Sequence, residues 1–168
     1  MSPPDAAASI RWPERFEPQR APVHVSNQLF IAAPPARVWS WLVREPLWPT
    51  WYDNAHVDWS PQRGHNTDLV LGSVFHWRTF GIAIESCVRE YQPCERIAWD
   101  ANGFGVNAYH AWLLQPQEGG CLVLTEESQY GWGARLLNFL MPHRMDVGHA
   151  LWLKSLGIQS QRGFPPPL

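Results

Sequence analysis

The chain has 168 residues and a formal net charge of −2, with 13 basic and 15 acidic side chains. This length is typical of one domain that buries its own core without help from metals or disulfides. A nearly neutral surface argues against nucleic acid as a partner, because a phosphate backbone is bound by basic surfaces.

The three cysteines, Cys87, Cys94 and Cys121, contain no C-x-x-C pair. Neither a disulfide framework nor a thiolate zinc site fits this spacing, so we expect reduced thiols in a cytoplasmic protein. The first residues, MSPPDAAASIRWPERFEPQRAP, are proline-rich and charged and do not resemble a signal peptide. No apolar run is long enough to span a bilayer, so we expect no integral membrane segment.

The two ends of the chain differ in composition from the middle. Residues 1–21 and 163–168 are rich in proline and lack sustained periodicity. We therefore expect flexible segments there, on either side of a single domain over 22–162.

The domain is predicted to begin with a strand and two short helices. Apolar and polar residues alternate from Val23 to Ile31, which is the period of a strand. Pro34 and Pro35 then precede a short amphipathic pattern, as at the start of a helix. The following segment PLWPTWY predicts a second helical turn.

A series of strands is predicted from Asp53 to about Tyr130. Turn signals separate the segments, so we expect an antiparallel meander. The predicted strands are HVDWSP, GSVFHWRTF, IAIESCVREYQP, RIAWDANG, VNAYHAWLLQP and CLVLTEESQY. In GSVFHWRTF, apolar bulk places Phe75 and Trp77 inside the domain and His76 and Arg78 outside.

Beyond Gly131 the period changes to that of a helix. Pro142 interrupts the pattern and predicts a kink or a break. As the only long amphipathic element, this C-terminal helix is expected to cover the apolar face of the sheet. The residues on its stripe are Trp132, Leu136, Leu140, Met145, His149, Trp152 and Leu156.

Several segments, taken in order, resemble the SRPBCC superfamily, which includes START domains and birch-pollen-allergen-like proteins, and its polyketide cyclase/dehydrase family in particular. They are IAAPPARVWSWLV, WPTWY, GSVFHWRT, ESCVREYQPCERIAW, the His110-x-Trp112 pair and GGCLVLTEES, within Val23 to Gln161. The resemblance implies an α+β helix-grip fold, in which a curved antiparallel sheet wraps around a long C-terminal helix and encloses an apolar cavity. It does not imply one function, because this fold serves carriers, cyclases, dehydratases, co-chaperones and oxygenase domains.

Eleven tryptophans are many for this length. Such side chains can fill a core, and they can also line a cavity. The residues that we expect to contact a ligand are Trp51, Phe75, Trp77, Trp99, His110, Trp112, Met145, His149 and Trp152.

His110 is the main candidate for acid–base chemistry, because imidazole titrates near neutral pH. Glu126 and Glu127 are the other candidates, and they point to opposite faces of their strand. The simplest hairpin at Gly119 and Gly120 would place Glu126 on the face of His110, whereas a bulge there would select Glu127. The choice stays open at this point.

The sequence indicates no metal site and no cofactor. It contains no H-E-x-x-H, and His143 and His149 are not an i, i+4 pair. No glycine-rich phosphate motif and no G-x-S-x-G nucleophile elbow is present.

Three functions fit these observations. The first is binding of a small hydrophobic or amphipathic ligand, such as a lipid, polyketide or aromatic metabolite, by a monomer or homodimer. The second is an aromatic polyketide cyclase or dehydratase that uses a cavity histidine or glutamate. The third is a co-chaperone-like interaction module, which would need an exposed apolar patch.

Overall fold

The computed structural model describes residues 9–57 and 68–167. The strands are β1 (Val23–Ile31), β2 (Ala55–Val57), β3 (Val74–Thr79), β4 (Ile82–Gln92), β5 (Arg96–Gly103), β6 (Val106–Gln117) and β7 (Gly120–Tyr130). The α-helices are α1 (Pro35–Leu42), α2 (Trp132–Leu140) and α3 (Arg144–Arg162). Three short 3-10 helices cover Glu14–Phe16, Pro18–Arg20 and Glu45–Thr50.

The strands form one antiparallel seven-stranded sheet with the order β1-β7-β6-β5-β4-β3-β2. The predicted meander is confirmed from β2 to β7, and β1 joins it by pairing with β7. Of the predicted strand HVDWSP, residues 56 and 57 lie in β2, and residues 58–61 lie outside the described residues. The two predicted short helices after β1 are also confirmed, as α1 and the 3-10 helix Glu45–Thr50.

The inner face of the sheet packs against α3 and α1, which gives the predicted helix-grip arrangement. Trp152 and Leu156 of α3 are almost fully buried, together with Trp99 and Trp112 of the sheet. Trp152 lies with its ring centroid 5.2 Å from Trp112 and 6.4 Å from Trp99. The predicted orientation of β3 is confirmed, because Phe75 and Trp77 are buried whereas Arg78 is exposed.

The C-terminal helical region is broken where Pro142 predicted an interruption. The helix α2 ends at Leu140, and α3 begins at Arg144. Proline cannot donate a backbone hydrogen bond and clashes with a preceding helical turn, which accounts for the break. No helix in residues 9–57 and 68–167 is both long enough and apolar enough to cross a membrane.

Residues 9–21 pack against the outer face of β6, and the flexibility expected for residues 1–21 stays a prediction. Ile10 and Phe16 are buried, and the Phe16 ring stacks on Tyr109 with 5.5 Å between centroids. The reason is that the outer face of β6 is also apolar, and burial of Tyr109 and Leu113 against the N-terminal segment removes their apolar surface from water. Ile10 and Phe16 of the N-terminal segment therefore pack on this outer face.

The tail after α3 also makes contacts that its composition did not predict. The indole Nε1 of Trp41 donates to the carbonyl of Gly163 at 2.8 Å. Arg44 Nη1 donates to the carbonyl of Pro166 at 2.7 Å. Gly163 and Pro166 therefore contact α1 and the residues that directly follow it.

Candidate functional site

A mainly apolar cavity lies between the inner face of the sheet and the helices α2 and α3. Its volume is about 60 Å³. Strands β3 to β7 contribute the walls, and α3 closes one side with Met145, His149 and Trp152.

Six of the nine residues expected to contact a ligand line this cavity: Trp77, Trp99, His110, Met145, His149 and Trp152. The other three lie outside its lining. Phe75 and Trp112 are 1% exposed and belong to the core, and Trp51 packs edge-on against Trp41 with 6.5 Å between centroids. Contact of any of the nine with a ligand stays a prediction.

The polar end of the cavity is formed by three buried side chains, which we call the His110–Glu127–His149 triad. Nε2 of His149 lies 3.2 Å from Oε2 of Glu127. Nδ1 of His110 lies 3.4 Å from the same oxygen. The two imidazole rings are stacked, with 4.6 Å between centroids and 4° between planes.

Glu127, not Glu126, shares the face of His110. The two-residue turn at Glu118 and Gly119 pairs Gln117 with Gly120, and this register continues without a bulge until His110 lies opposite Glu127. The expectation that the simplest hairpin would select Glu126 is therefore wrong. With this two-residue turn, each even-numbered residue of β6 lies opposite an odd-numbered residue of β7, so His110 lies opposite Glu127.

Glu126 points to the outer face of the sheet. It accepts a hydrogen bond of 2.9 Å from the hydroxyl of Ser26. It also lies 3.7 Å from the imidazole of His24.

Two neighbours on β7 orient the triad. The hydroxyl of Thr125 lies 2.8 Å from Nε2 of His110, on the side of the ring away from Glu127. The amide Nε2 of Gln129 donates to Oε1 of Glu127 at 2.6 Å. Since Thr125, Glu127 and Gln129 alternate along one strand, all three face the cavity side.

Burial sets the charge state of His110. It lowers the pKa of His110 to about 3, and the neighbouring His149 adds to this effect. The ring is therefore neutral at physiological pH.

Glu127 behaves in the opposite way to an isolated buried acid. Burial acts to raise its pKa, but the hydrogen bond from His149, the His110 imidazole and the Gln129 amide outweigh it, so that the pKa lies below its usual value. A carboxylate that accepts several hydrogen bonds stays ionised even when water is excluded.

Three further residues at the cavity were not identified from the sequence. Tyr52 stacks on Trp152 at 4.8 Å, and its hydroxyl donates to the carbonyl of Gly148 at 3.1 Å. Burial raises the pKa of Tyr52 to about 12, so it stays a phenol. The segment WPTWY pointed to a helical turn, but nothing in it distinguished Tyr52 from Trp51.

The other two, Phe80 and Arg144, form a contact that we call the mouth latch. The guanidinium of Arg144 lies 4.3 Å from the centroid of the Phe80 ring and donates to the Phe80 carbonyl. Phe80 has a φ of 52°, and Gly81 after it has a φ of 77°, as a tight β3–β4 turn requires. A phenylalanine in this region of φ is uncommon, and such outliers concentrate at functional sites.

The mouth latch lies between the cavity and two grooves on the surface. Phe80 and Arg144 line the inner cavity and also two open grooves of about 570 Å³ and about 500 Å³. Met141 is shared with the larger groove and Leu137 with the smaller one. Displacement of the latch would join these spaces.

Comparison with known proteins supports the same fold. The hypothetical protein jhp0584 from Helicobacter pylori, whose crystal structure is known, is 30% identical in sequence to this chain. The match covers 91% of this chain and 96% of the Helicobacter pylori chain, with a TM-score of 0.80. Protein CV1439 from Chromobacterium violaceum is 16% identical with a TM-score of 0.64, over 82% of this chain and 96% of its own. DynU16, a putative protein in the dynemicin biosynthetic locus, is 15% identical with a TM-score of 0.62, over 86% of this chain and 49% of its own.

No curated protein matches this chain. A family model matches residues 22–146, which is most of the folded part. Its description is polyketide cyclase / dehydrase and lipid transport. Together with the helix-grip sheet and the enclosed cavity, this match shows that the chain belongs to the SRPBCC-type polyketide cyclase/dehydrase and lipid transport family.

Proposed function

We propose that the chain binds a small, largely apolar molecule that carries a hydroxyl or phenol group, and that the polar end of the cavity orients it. The observation that carries this proposal is the enclosed apolar cavity with a single ionised carboxylate, Glu127, at one end. Lipids, polyketides and aromatic metabolites are the candidate classes, in keeping with the description of the family.

A hydroxyl group fits the polar atoms at this end. The ligand hydroxyl would donate a hydrogen bond to Glu127, since a carboxylate offers about four acceptor positions. Its oxygen would accept from the indole N–H groups of Trp99 or Trp152, which line the cavity and have no hydrogen-bond partner among the described residues. Buried polar groups are normally paired, so these two donors favour an acceptor on the ligand.

Cavity size limits how the ligand enters. A volume of about 60 Å³ holds a few water molecules, whereas pockets for larger organic ligands span ~300–1,000 Å³. A ligand of polyketide size therefore displaces the Phe80–Arg144 latch and extends into one of the two grooves. Binding and opening of the mouth are then coupled.

The test is a binding screen with a cavity-filling variant. Fatty acids, sterols, aromatic polyketides and flavonoids are screened by tryptophan fluorescence, and native mass spectrometry of the purified protein detects co-purified molecules. Ala108→Leu adds bulk at a cavity-lining position that is 2% exposed, and Ala150→Leu is the control on the exposed face of α3.

We expect micromolar binding that weakens at least about tenfold in Ala108→Leu and not in Ala150→Leu. The proposal fails if no compound binds, or if Ala108→Leu binds as well as the unmodified protein.

Acid–base catalysis is the second candidate, favoured by the 3.2 Å contact between Glu127 and His149 inside the cavity. A carboxylate beside an imidazole can move a proton between substrate atoms, as a cyclase or dehydratase requires. Turnover of an identified ligand that is lost in Glu127→Gln while binding is retained would establish it.

The interaction-module hypothesis also has one supporting observation. The helix α2 exposes 62% of Trp132 and 82% of Phe139, with Leu140 beside them. Substitution of Phe139 by serine would impair partner binding and leave the internal cavity intact.

Cytoplasmic location and a monomeric or dimeric state also stay predictions.

A further inference from the structure

The His110–Glu127–His149 triad brings together three side chains that are common metal ligands. They come from β6, β7 and α3, and one donor atom from each lies within 4.8 Å of the other two. All three residues are buried, so this is not a chance cluster on a solvated surface.

The separations between donor atoms match those of a first-row metal centre. In a tetrahedral zinc site with bonds of 2.0–2.1 Å, the ligand atoms lie about 3.3 Å apart. Oε2 of Glu127 is already 3.2 Å from Nε2 of His149 and 3.4 Å from Nδ1 of His110. Two of the three ligand pairs therefore have the required spacing.

We propose that His110, Glu127 and His149 bind a divalent first-row transition ion, for which Zn²⁺ is the representative. Two imidazoles and a carboxylate are a donor set suited to Zn²⁺ and its neighbours rather than to Mg²⁺ or Ca²⁺, which prefer oxygen ligands. With three protein ligands at the end of a cavity, the fourth position faces the space where a small molecule binds. Sites of that kind serve ligand binding or catalysis, whereas structural zinc sites are closed by four protein ligands.

The neighbours of the triad leave the correct atoms available. The hydroxyl oxygen of Thr125 can accept a hydrogen bond from Nε2–H of His110, and in that tautomer the Nδ1 lone pair lies toward Glu127. Gln129 holds Oε1 of Glu127 and leaves Oε2 toward the imidazoles. Partners of this kind orient the ligands in metal sites.

His149 can present a lone pair to a cation only if its ring proton moves from Nε2 to Nδ1. Its Nδ1 is buried without a hydrogen-bond partner among the described residues. In the metal-free protein Nε2 of His149 donates to Glu127, and a cation bound at Nε2 would replace that proton and leave the ring proton on Nδ1.

A bound cation would also compensate the negative charge of the buried Glu127 carboxylate at this end of the cavity. Glu127 is 8% exposed, and its carboxylate contacts the two imidazoles and the Gln129 amide, of which the His110 ring is neutral at physiological pH. A buried carboxylate is costly unless a positive charge compensates it, and a divalent ion would do so directly.

Binding requires one local rearrangement. The two rings are parallel to within 4°, and because each lone pair lies in the plane of its ring, the two cannot converge on one point as the rings stand. At least one ring must turn about its side-chain torsions to converge on the ion. A metal site was not predicted from the sequence, because its three ligands are separated along the chain and match no metal motif.

The experiment uses the full chain with any purification tag removed, after dialysis against a chelator. Co²⁺ is titrated and followed by its visible absorption, which is intense in tetrahedral sites, and Zn²⁺ is titrated by calorimetry. The triad variants are Glu127→Gln, which preserves side-chain shape, and His149→Ala. The matched control is His76→Ala, because His76 and Glu85 form an exposed pair at 3.0 Å on the same sheet.

We expect one equivalent of Co²⁺ or Zn²⁺ per chain, with affinity reduced at least about tenfold in both triad variants and unchanged in His76→Ala. Absence of tetrahedral Co²⁺ absorption in the unmodified protein overturns the proposal, even if a variant fails to fold. Equal affinity in the unmodified protein and in folded triad variants also overturns it. The outcome is independent of the proposed ligand binding, which is measured separately on the metal-free protein.

Discussion

Nε2 of His149 lies 3.2 Å from Oε2 of Glu127, although α3 and β7 carry these residues 22 positions apart. The contact links the long helix to the sheet through polar groups inside an otherwise apolar interface. His149 is 2% exposed, so water cannot replace this partner without reorganisation of the core.

Replacement of Glu127 by alanine is expected to destabilise the metal-free protein by about 1–3 kcal/mol, because His149 and Gln129 would lose their shared buried acceptor. Glu126→Ala, on the opposite face of the same strand, is the control, with an expected loss below about 1 kcal/mol. Urea unfolding followed by circular dichroism measures both. Equal losses in the two variants would contradict the assignment of Glu127 as the inward carboxylate.

The fold was predictable because alternation in the strands and three- to four-residue spacing in α3 reflect burial. The same spacing in α2 does not, because Trp132, Leu136 and Leu140 are exposed. Trp77 and Trp99 on the sheet and Trp152 on α3 line the cavity as their periodicity indicated. The break at Pro142 was predictable for an equally local reason, the missing backbone donor of proline.

The details of the site depended on information that periodicity does not contain. The inward position of Glu127 follows from the pairing of Gln117 with Gly120, which selects one of two hairpin registers. Tyr52 and Phe80 lie in connections, where side-chain direction depends on backbone torsions rather than on a repeat. Phe16 is buried because it packs on the outer face of β6. The sequence of β6 did not predict this contact, because its outer residues are also compatible with a strand whose outer face is exposed to solvent.

Gly148 on α3 is expected to control the mouth latch. A Cβ atom at this position would lie 2.3 Å from Cζ of Phe80, so Gly148→Ala must displace the Phe80 ring. We expect faster acrylamide quenching of the cavity tryptophans and faster ligand association in this variant. Stopped-flow fluorescence and steady-state quenching measure the two effects.

Gly157 provides the matched control on the same helix. A Cβ atom there meets Ile31 at 3.5 Å, an ordinary contact, so Gly157→Ala should stabilise the helix by ~0.5–1 kcal/mol without a change in quenching. If both variants quench alike, Phe80 does not limit access to the cavity.

Cys121 is expected to react slowly with thiol reagents in the folded protein. It is fully buried in the sheet, and burial raises its pKa to about 11, so the reactive thiolate is scarce at pH 8. The Cys87→Ser/Cys94→Ser variant isolates this thiol. Labelling with iodoacetamide, followed by mass spectrometry, should become fast only when urea unfolds the chain. Rapid labelling without urea would show that the β6–β7 hairpin opens readily.

Tyr109 should make stability depend on pH in the alkaline range. Burial raises its pKa to about 12, with Glu90 and Asp100 adding to the effect, whereas an unfolded tyrosine ionises near pH 10. Between these values the unfolded chain releases a proton that the folded chain retains, so stability falls as pH rises from 10 to 12. The slope from this residue is at most about 1.4 kcal/mol per pH unit.

Tyr109→Phe should remove that component of the slope, and Tyr52→Phe serves as the comparison on the inner face. Phe16→Ala should lower the pKa of Tyr109, because it removes the ring stacked at 5.5 Å on its outer side. Absorbance at 295 nm, which reports tyrosinate, and urea unfolding at successive pH values measure both effects. If Phe16→Ala leaves the tyrosine titration unchanged, residues 9–21 do not shield the outer face of β6 in solution, and the cover seen over Tyr109 is not a stable part of the fold.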